Sequence, residues 1–283
     1  MTLTSRFAPS PSGYLHRGHA FSALSVQAIA RDVGGLLVLR IEDIDTERCR
    51  PPFEQAIYED LSWLGLSWAT PVRRQSDHLA DYLAALERLR DQGLVYRCFK
   101  TRREILSEIA RAPHGSVAPY RGEPLAAADE AQLLETDTAF AWRLSLDAAR
   151  ERLGPAWNDL DFTEQGQGPA GEQGAIRAQP ETAGDVILAR KGLGVAYHLA
   201  VVVDDALQQI THVVRGQDLF EATHIQRLLQ ALLHLPTPTY RHHPLLLGPD
   251  GKRFAKRDRA ETLREIRQRG VSAAALRAEL GFG

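Results

Sequence analysis

The opening stretch constrains this chain more than anything after it. A short apolar run, Leu3–Ala8, halts in the turn-forming sequence Pro9-Ser10-Pro11-Ser12-Gly13. A helix-forming run then extends from Gly18 to Asp32, and a second apolar run fills Leu36–Ile41. Strand, tight turn, helix and strand in that order open an α/β protein built on a parallel sheet. Phe53–Leu64 and His78–Gln92 continue the alternation as amphipathic helices. In the second, Leu79, Tyr82, Leu83, Leu86 and Leu89 recur at helical spacing as a core stripe, and Gly93 supplies the stop.

The rhythm breaks at residue 99. Pro113, Gly115, Pro119, Gly122 and Pro124, followed by the loop-like Gln165–Gly174, mark an insertion over 99–184. Regular structure resumes with Asp185–Ala189, Tyr197–Val203, Ile210–Arg215 and a helix from Leu219 to Leu233. After Thr239 comes a tail with one or two short helices.

Composition narrows the class. Apolar residues make up 44% and charged residues 25% of 283, enough for a sizeable core without disulfide support. Cys49 and Cys98 are the two cysteines, which suits a reducing compartment. The N-terminus has no apolar leader and no later run approaches the roughly 18 apolar residues of a membrane span, so the expectation is a soluble, cytoplasmic protein with no membrane partner. Net charge is −2, but residues 250–270 carry eight basic against four acidic side chains, a local excess that suits phosphates or a solvated helix face.

Two constellations carry chemistry. In Arg6-Phe7-Ala8-Pro9-Ser10-Pro11-Ser12-Gly13-Tyr14-Leu15-His16-Arg17-Gly18-His19, a strand ends and a helix begins near Gly18. Free N–H groups and partial positive charge at a helix N-terminus suit a phosphate, and His16 and His19 stand at that entrance. The second is Gly251-Lys252-Arg253-Phe254-Ala255-Lys256-Arg257-Asp258, a basic loop of the kind that clamps polyphosphate and neutralises charge developing during nucleotidyl transfer.

Together and in this order, the two resemble the signatures of class I glutamyl- and glutaminyl-tRNA synthetases. His16-Arg17-Gly18-His19 matches the HIGH motif, and Arg253-Phe254-Ala255-Lys256-Arg257 matches KMSKS. Arg40-Ile41-Glu42-Asp43-Ile44-Asp45-Thr46, the Tyr197–Asp205 block and the His212–Leu219 block match three further stretches. The resemblance implies a Rossmann-like catalytic domain that activates glutamate with ATP and its magnesium. Residues 1–98 and 185–238 would be its two halves, 99–184 an inserted acceptor-type domain, and 239–283 the KMSKS-like loop with a short helical tail. It implies a glutamate pocket of Arg6, Phe7, Ala8, Pro9, Ser10, Glu42, Tyr197 and Arg215. Arg6 and Arg215 would hold carboxylates, through contacts that can be bidentate, and Glu42 the ammonium. It places ATP at His16, Gly18, His19, Arg253 and Lys256, with His16, His19 and Lys256 catalytic.

Three departures refine this. Only 26 residues follow Arg257, too few for the family's anticodon-reading domain. That resembles the glutamyl-queuosine tRNA(Asp) synthetase paralogues, which activate glutamate without RNA and attach it to queuosine in the tRNA(Asp) anticodon stem-loop; a monomer is expected. Many of those paralogues carry a Cys-x-Cys…Tyr-x3-Cys zinc site, of which only Cys98 and Tyr120 match here, so no metal is expected. Ala255 replaces the KMSKS serine, which removes a hydroxyl and keeps the charge of Lys256. A truncated synthetase charging a 3′ acceptor end, or a catalytically weakened nucleotide-binding protein, are the alternatives.

Overall fold

A computed structural model describes residues 2–111, 119–192, 194–246 and 261–283. The first half runs β1 (Thr4–Phe7), α1 (Arg17–Asp32), β2 (Leu36–Ile41), α2 (Pro51–Trp63), β3 (Ala69–Arg74) and α3 (Leu79–Asp91). Then come β4 (Val95–Cys98), α4 (Arg102–Arg111), α5 (Ala127–Glu135), β5 (Ala141–Leu144), α6 (Leu146–Leu153), β6 (Asp161–Glu164), β7 (Gly174–Arg177), β8 (Ile187–Arg190) and β9 (Gly194–Val195). The chain closes with α7 (Tyr197–Leu207), β10 (His212–Gly216), α8 (Phe220–Leu233), β11 (Thr239–His243), α9 (Leu263–Gln268) and α10 (Ala273–Glu279).

The main sheet has the order β3-β2-β1-β10-β11-β6-β7, parallel throughout except for the β6–β7 hairpin. Leu36–Ile41 can form an interior strand because it is apolar on both faces apart from Arg40, and all but its first residue are buried. From β1 the chain winds outward through β2 and β3, then returns to the other side of β1 as β10 and β11. The gap between the strand ends of β1 and β10 is therefore a topological switch point, where open α/β sheets take ligands.

The early elements follow the sequence pattern closely. Asp91 ends the amphipathic α3, Gly93 stands at φ +70°, and Tyr82, Ala85, Leu86 and Leu89 are buried, while Leu79 and Leu83 of the expected stripe are exposed. The run Tyr197–Val203 proves to be helical: Leu199–Asp205 is buried all round in α7, so tertiary burial decides over the strand preference of three consecutive valines. β11 falls within the stretch read as a tail. Its pattern is nonetheless that of a strand, with Tyr240 and His242 turned inward and Arg241 outward.

A second, antiparallel sheet has the order β4-β5-β8-β9. Strands from 99–184 thus serve both sheets, since β5 sits in this one while β6 pairs with β11 through Tyr240 and Glu164. Among the described residues, no helix is long and apolar enough to cross a membrane.

Candidate active site

A cleft of about 560 Å³ opens at the switch point. Arg6, Phe7, Ala8, Pro9, Ser10, His16, Gly18, His19, Glu42, Tyr197 and Arg215 all line it, so every expected site residue within the described parts converges there. Arg253 and Lys256, with the rest of the KMSKS-like sequence, lie outside the described residues.

One wall is an ion-pair network. Arg40 is fully buried and donates to Glu42 Oε1 (3.0 and 3.3 Å), Asp205 Oδ1 (2.8 Å) and Gln208 Oε1 (3.0 Å). Burial pulls the Arg40 pKa down, but Asp205, Glu42 and Asp204 outweigh it and hold it above its ordinary value. Asp205 also accepts from Arg6 Nε at 3.0 Å, and these two arginines keep its carboxyl ionised against its burial. Asp204 accepts from Arg73 (2.7 Å), Gln75 (2.8 Å) and the Tyr82 hydroxyl (2.8 Å). Three arginines thus face three carboxylates. Burial raises the pKa of Glu42 against the pull of Arg40 and Arg6. Both bonds from Arg40 go to Oε1 of Glu42, which leaves Oε2 for a cation in the cleft. Nη1 and Nη2 of Arg6 likewise donate to no described residue, so its fork can meet a carboxylate bidentately.

The histidine pair caps α1. His16 Nδ1 accepts from Gly18 N (3.1 Å), His19 Nδ1 accepts from His16 N (3.1 Å), and the rings lie 3.8 Å apart. With Nδ1 accepting in both rings, the neutral tautomer of each carries its hydrogen on Nε2, a donor suited to phosphate. Thr262 forms an isolated β-bridge with His16, Leu263 N donates to Leu15 O (2.8 Å), and Arg17 pairs with Glu261 (2.8 Å). Leu245 and Leu246 line the cleft as well. The described residues flanking 247–260 on both sides therefore meet at the cleft.

Arg215, 5% exposed, forms the opposite wall. It donates to His242 Nε2 (3.1 Å), Gln226 Oε1 (2.9 Å), Thr223 Oγ1 (2.7 Å) and, weakly, the Tyr197 hydroxyl (3.4 Å). Four of its five N–H groups are taken, so a two-pronged grip on a carboxylate requires Tyr197 to yield its place. Behind it, His242 Nδ1 meets Glu164 Oε2 at 2.5 Å. Burial and the Arg215 charge keep the imidazole neutral, and its hydrogen bonds lower the Glu164 pKa despite burial. Sequence reasoning assigned no role to Arg40, Asp204, Asp205, Glu164 or His242. The first three lie inside matched blocks, whereas Glu164 and His242 are far from any motif.

A second cavity of about 590 Å³ shares Ser10, Glu42 and Tyr197 with the first and extends to Arg143 and Arg190 on the antiparallel sheet. Burial and the charge of Arg215 push His198, on its wall, down to about 4, so that imidazole is neutral. At the zinc motif, Cys98 Sγ lies 3.7 Å from the Tyr120 hydroxyl, with Lys100 and Pro124 in the other ligand positions. One thiol and one phenol do not fit a tetrahedral zinc.

Residues 2–281 match the family model for the class I (E and Q) tRNA synthetase catalytic domain. A glutamyl-Q tRNA(Asp) synthetase of Rhodobacter capsulatus is 45% identical, covering 99% of this chain and all of that protein. One from Nocardia farcinica is 42% identical, covering 94% of this chain and 80% of the relative. Among solved structures, a glutamate tRNA ligase of Elizabethkingia meningosepticum, in complex with its amino acid, superposes with a TM-score of 0.73 at 28% identity. That match covers 91% of this chain and 52% of the ligase. With its motif residues gathered at the switch point of a Rossmann-like sheet, the chain belongs to the class I glutamyl- and glutaminyl-tRNA synthetase catalytic-domain family.

Proposed function

We propose that this protein activates L-glutamate with ATP, needs no RNA to do so, and passes the glutamyl group to queuosine at the wobble position of tRNA(Asp). The observation that carries the reading is the convergence of eleven motif residues, anion-handling and cation-handling alike, on one cleft in a chain with relatives of that name.

In this reading the free fork of Arg6 and the donors of Arg215 and Tyr197 hold glutamate by its carboxylates, and Glu42 Oε2 takes the ammonium. Phe7, Ala8, Pro9 and Ser10 form the strap across the strand end. The Nε2 hydrogens of His16 and His19, together with the N-terminus of α1 at Gly18, receive ATP phosphates. Magnesium arrives with the nucleotide, and the resemblance assigns phosphate contacts to Lys256 and Arg253, which lie outside the described residues between two flanks that meet at the cleft. The α-carboxylate is already ionised at neutral pH, so no general base is needed. Its oxygen attacks the α-phosphorus and pyrophosphate departs. The work of the protein is placement and charge neutralisation. An acceptor hydroxyl then attacks the activated carbonyl carbon, AMP leaves with the bonding pair, and the hydroxyl proton passes to the departing phosphate or to water.

The second cavity, contiguous with the first through Glu42 and Tyr197, is the route by which an RNA nucleoside would approach. The antiparallel sheet, to which the inserted acceptor-type domain contributes β5, offers Arg143 and Arg190 to its phosphates. Exposed loops with splayed bases suit such recognition, and the anticodon loop of tRNA(Asp) is one. The protein would act as a cytoplasmic monomer.

Pyrophosphate exchange with glutamate and ATP alone tests activation, and transfer to an anticodon stem-loop bearing queuosine rather than guanosine tests the acceptor. Exchange that starts only when tRNA is added, or efficient charging of the 3′-terminal adenosine of tRNA(Glu), would overturn the reading.

A further inference from the structure

Glu164 and His242 lie outside every motif and line neither cavity, yet His242 is buried against Arg215 and Glu164 is buried behind it. Their hydrogen bonds run in a fixed direction. Glu164 Oε1 accepts two backbone amides, Gly166 N at 2.7 Å and His242 N at 2.9 Å. Its Oε2 is left facing His242 Nδ1, which must then carry the hydrogen. Nε2 is consequently a bare acceptor, and it receives Arg215 Nε–H at 3.1 Å. The surroundings tolerate little else. A side chain at Gly166 would bring its Cβ to 2.1 Å from the His242 carbonyl oxygen, and the His242 ring lies parallel to that of Tyr240.

We infer that Glu164 and His242 are positioning residues for substrate: the carboxylate fixes one imidazole tautomer, and that tautomer alone can hold the Arg215 guanidinium in place. The inference rests on the reading of Arg215 as a holder of the glutamate carboxylate. The carboxylate that sets the pair comes from β6, while Arg215 comes from β10 and His242 from β11, so three strands cooperate on one guanidinium.

Glu164→Gln separates this role from simple packing. The two backbone amides select the oxygen of the new side chain, which turns its NH₂ toward His242 Nδ1. The hydrogen must then move to Nε2 and confront Arg215 Nε–H, donor against donor. In pyrophosphate exchange the KM for glutamate should rise about 10- to 100-fold, the scale of a charged hydrogen bond turned repulsive. The KM for ATP should stay within about twofold, because the phosphate-facing histidines are untouched. His242→Gln with Glu164 intact should cost much less than Glu164→Gln, since its NH₂ can donate to Glu164 Oε2 while its oxygen accepts from Arg215. Long-range ¹H–¹⁵N spectra of the histidine rings give a readout independent of activity, with Nδ1–H expected in the native protein and Nε2–H in Glu164→Gln. An Nε2–H tautomer in the native protein would overturn the inference, as would an inverted tautomer with the glutamate KM unchanged. If the native protein showed no glutamate-driven exchange at all, the pocket reading would fall instead, and the ring spectra would still decide the tautomer.

Discussion

Two buried arginines flank β1, Arg40 on β2 and Arg215 on β10, and they are held in opposite ways. Arg40 is enclosed by Glu42, Asp204 and Asp205, and its charge is cancelled where it stands. Arg215 is almost as enclosed, but its partners among the described residues are a histidine, a glutamine, a threonine and a tyrosine, all neutral. Hydrogen bonds fix a guanidinium in place whether or not they cancel its charge. A buried charge that is placed and left uncancelled favours an incoming carboxylate. The charge of the first arginine is thus met within the fold by direct ion pairs, whereas that of the second, in the proposed reading, is offered to a ligand.

The sharpest way to break this contrast is to remove each arginine in turn. Arg40→Ala leaves the Glu42 carboxylate without a hydrogen-bond donor among the described residues and takes one cation from Asp204 and Asp205, and should cost about 3–5 kcal/mol in urea unfolding. Arg215→Ala should cost far less stability while raising the glutamate KM in pyrophosphate exchange about 100-fold. Equal losses of stability in the two variants would end the distinction. Lys256→Ala tests the phosphate side of the cleft. Exchange should slow by on the order of 10²-fold, with a smaller change in glutamate KM, and a profile matching that of Arg215→Ala would show that the two sides do not divide the work.

Asp60 sharpens the same contrast by having neither solution. It is fully buried on α2, its carboxylate accepts no hydrogen bond from the described residues, and Arg267 of α9 stands 3.7 Å away. Burial pushes its pKa up to about 6 from 3.8, with Arg267 opposing only in part. Between those values the unfolded chain gives up its proton first, so this group lowers stability as pH rises through about 4 to 6. Asp60→Asn should therefore stabilise the protein by about 2 kcal/mol at pH 8, a gain that shrinks toward pH 4 in urea titrations. A gain independent of pH would point to packing instead. The smallest effect is expected from chelation: with Cys98 and Tyr120 as the only family ligands kept, EDTA should leave the thermal midpoint and exchange activity unchanged, and one zinc per chain by metal analysis would refute this.

The sequence makes the two sides of the cleft unequally legible. Arg6, His16, His19, Glu42, Tyr197 and Arg215 could be named because each lies in a short block whose order along the chain is itself a signal. β1, α1, β2 and α3 follow from apolar periodicity with Gly and Pro at their limits. Glu164 and His242 could not be found that way. Their spacing of 78 residues acquires meaning only when β6 lies beside β11, and a pairing across distant strands leaves no local period in the sequence. β11 hid for a related reason, since Thr-Tyr-Arg-His-His has too few apolar residues to announce a strand. Tyr197–Val203 shows the converse, a β-branched run drawn into a helix by burial on all sides.

The origin of Glu164 has a consequence for anyone recombining such proteins. Segment 99–184 invites exchange between relatives as a self-contained cassette, because its neighbours in the chain close up again as α/β structure on either side. Yet β6 delivers an acid to His242, behind Arg215, and seats Gly166 against the backbone of β11. A transplanted cassette without an acid and a glycine at those two positions would carry its own surface intact into the chimera and leave the host's pocket unable to orient its arginine. The natural seam for recombination lies inside the segment, ahead of β6, and not at its ends.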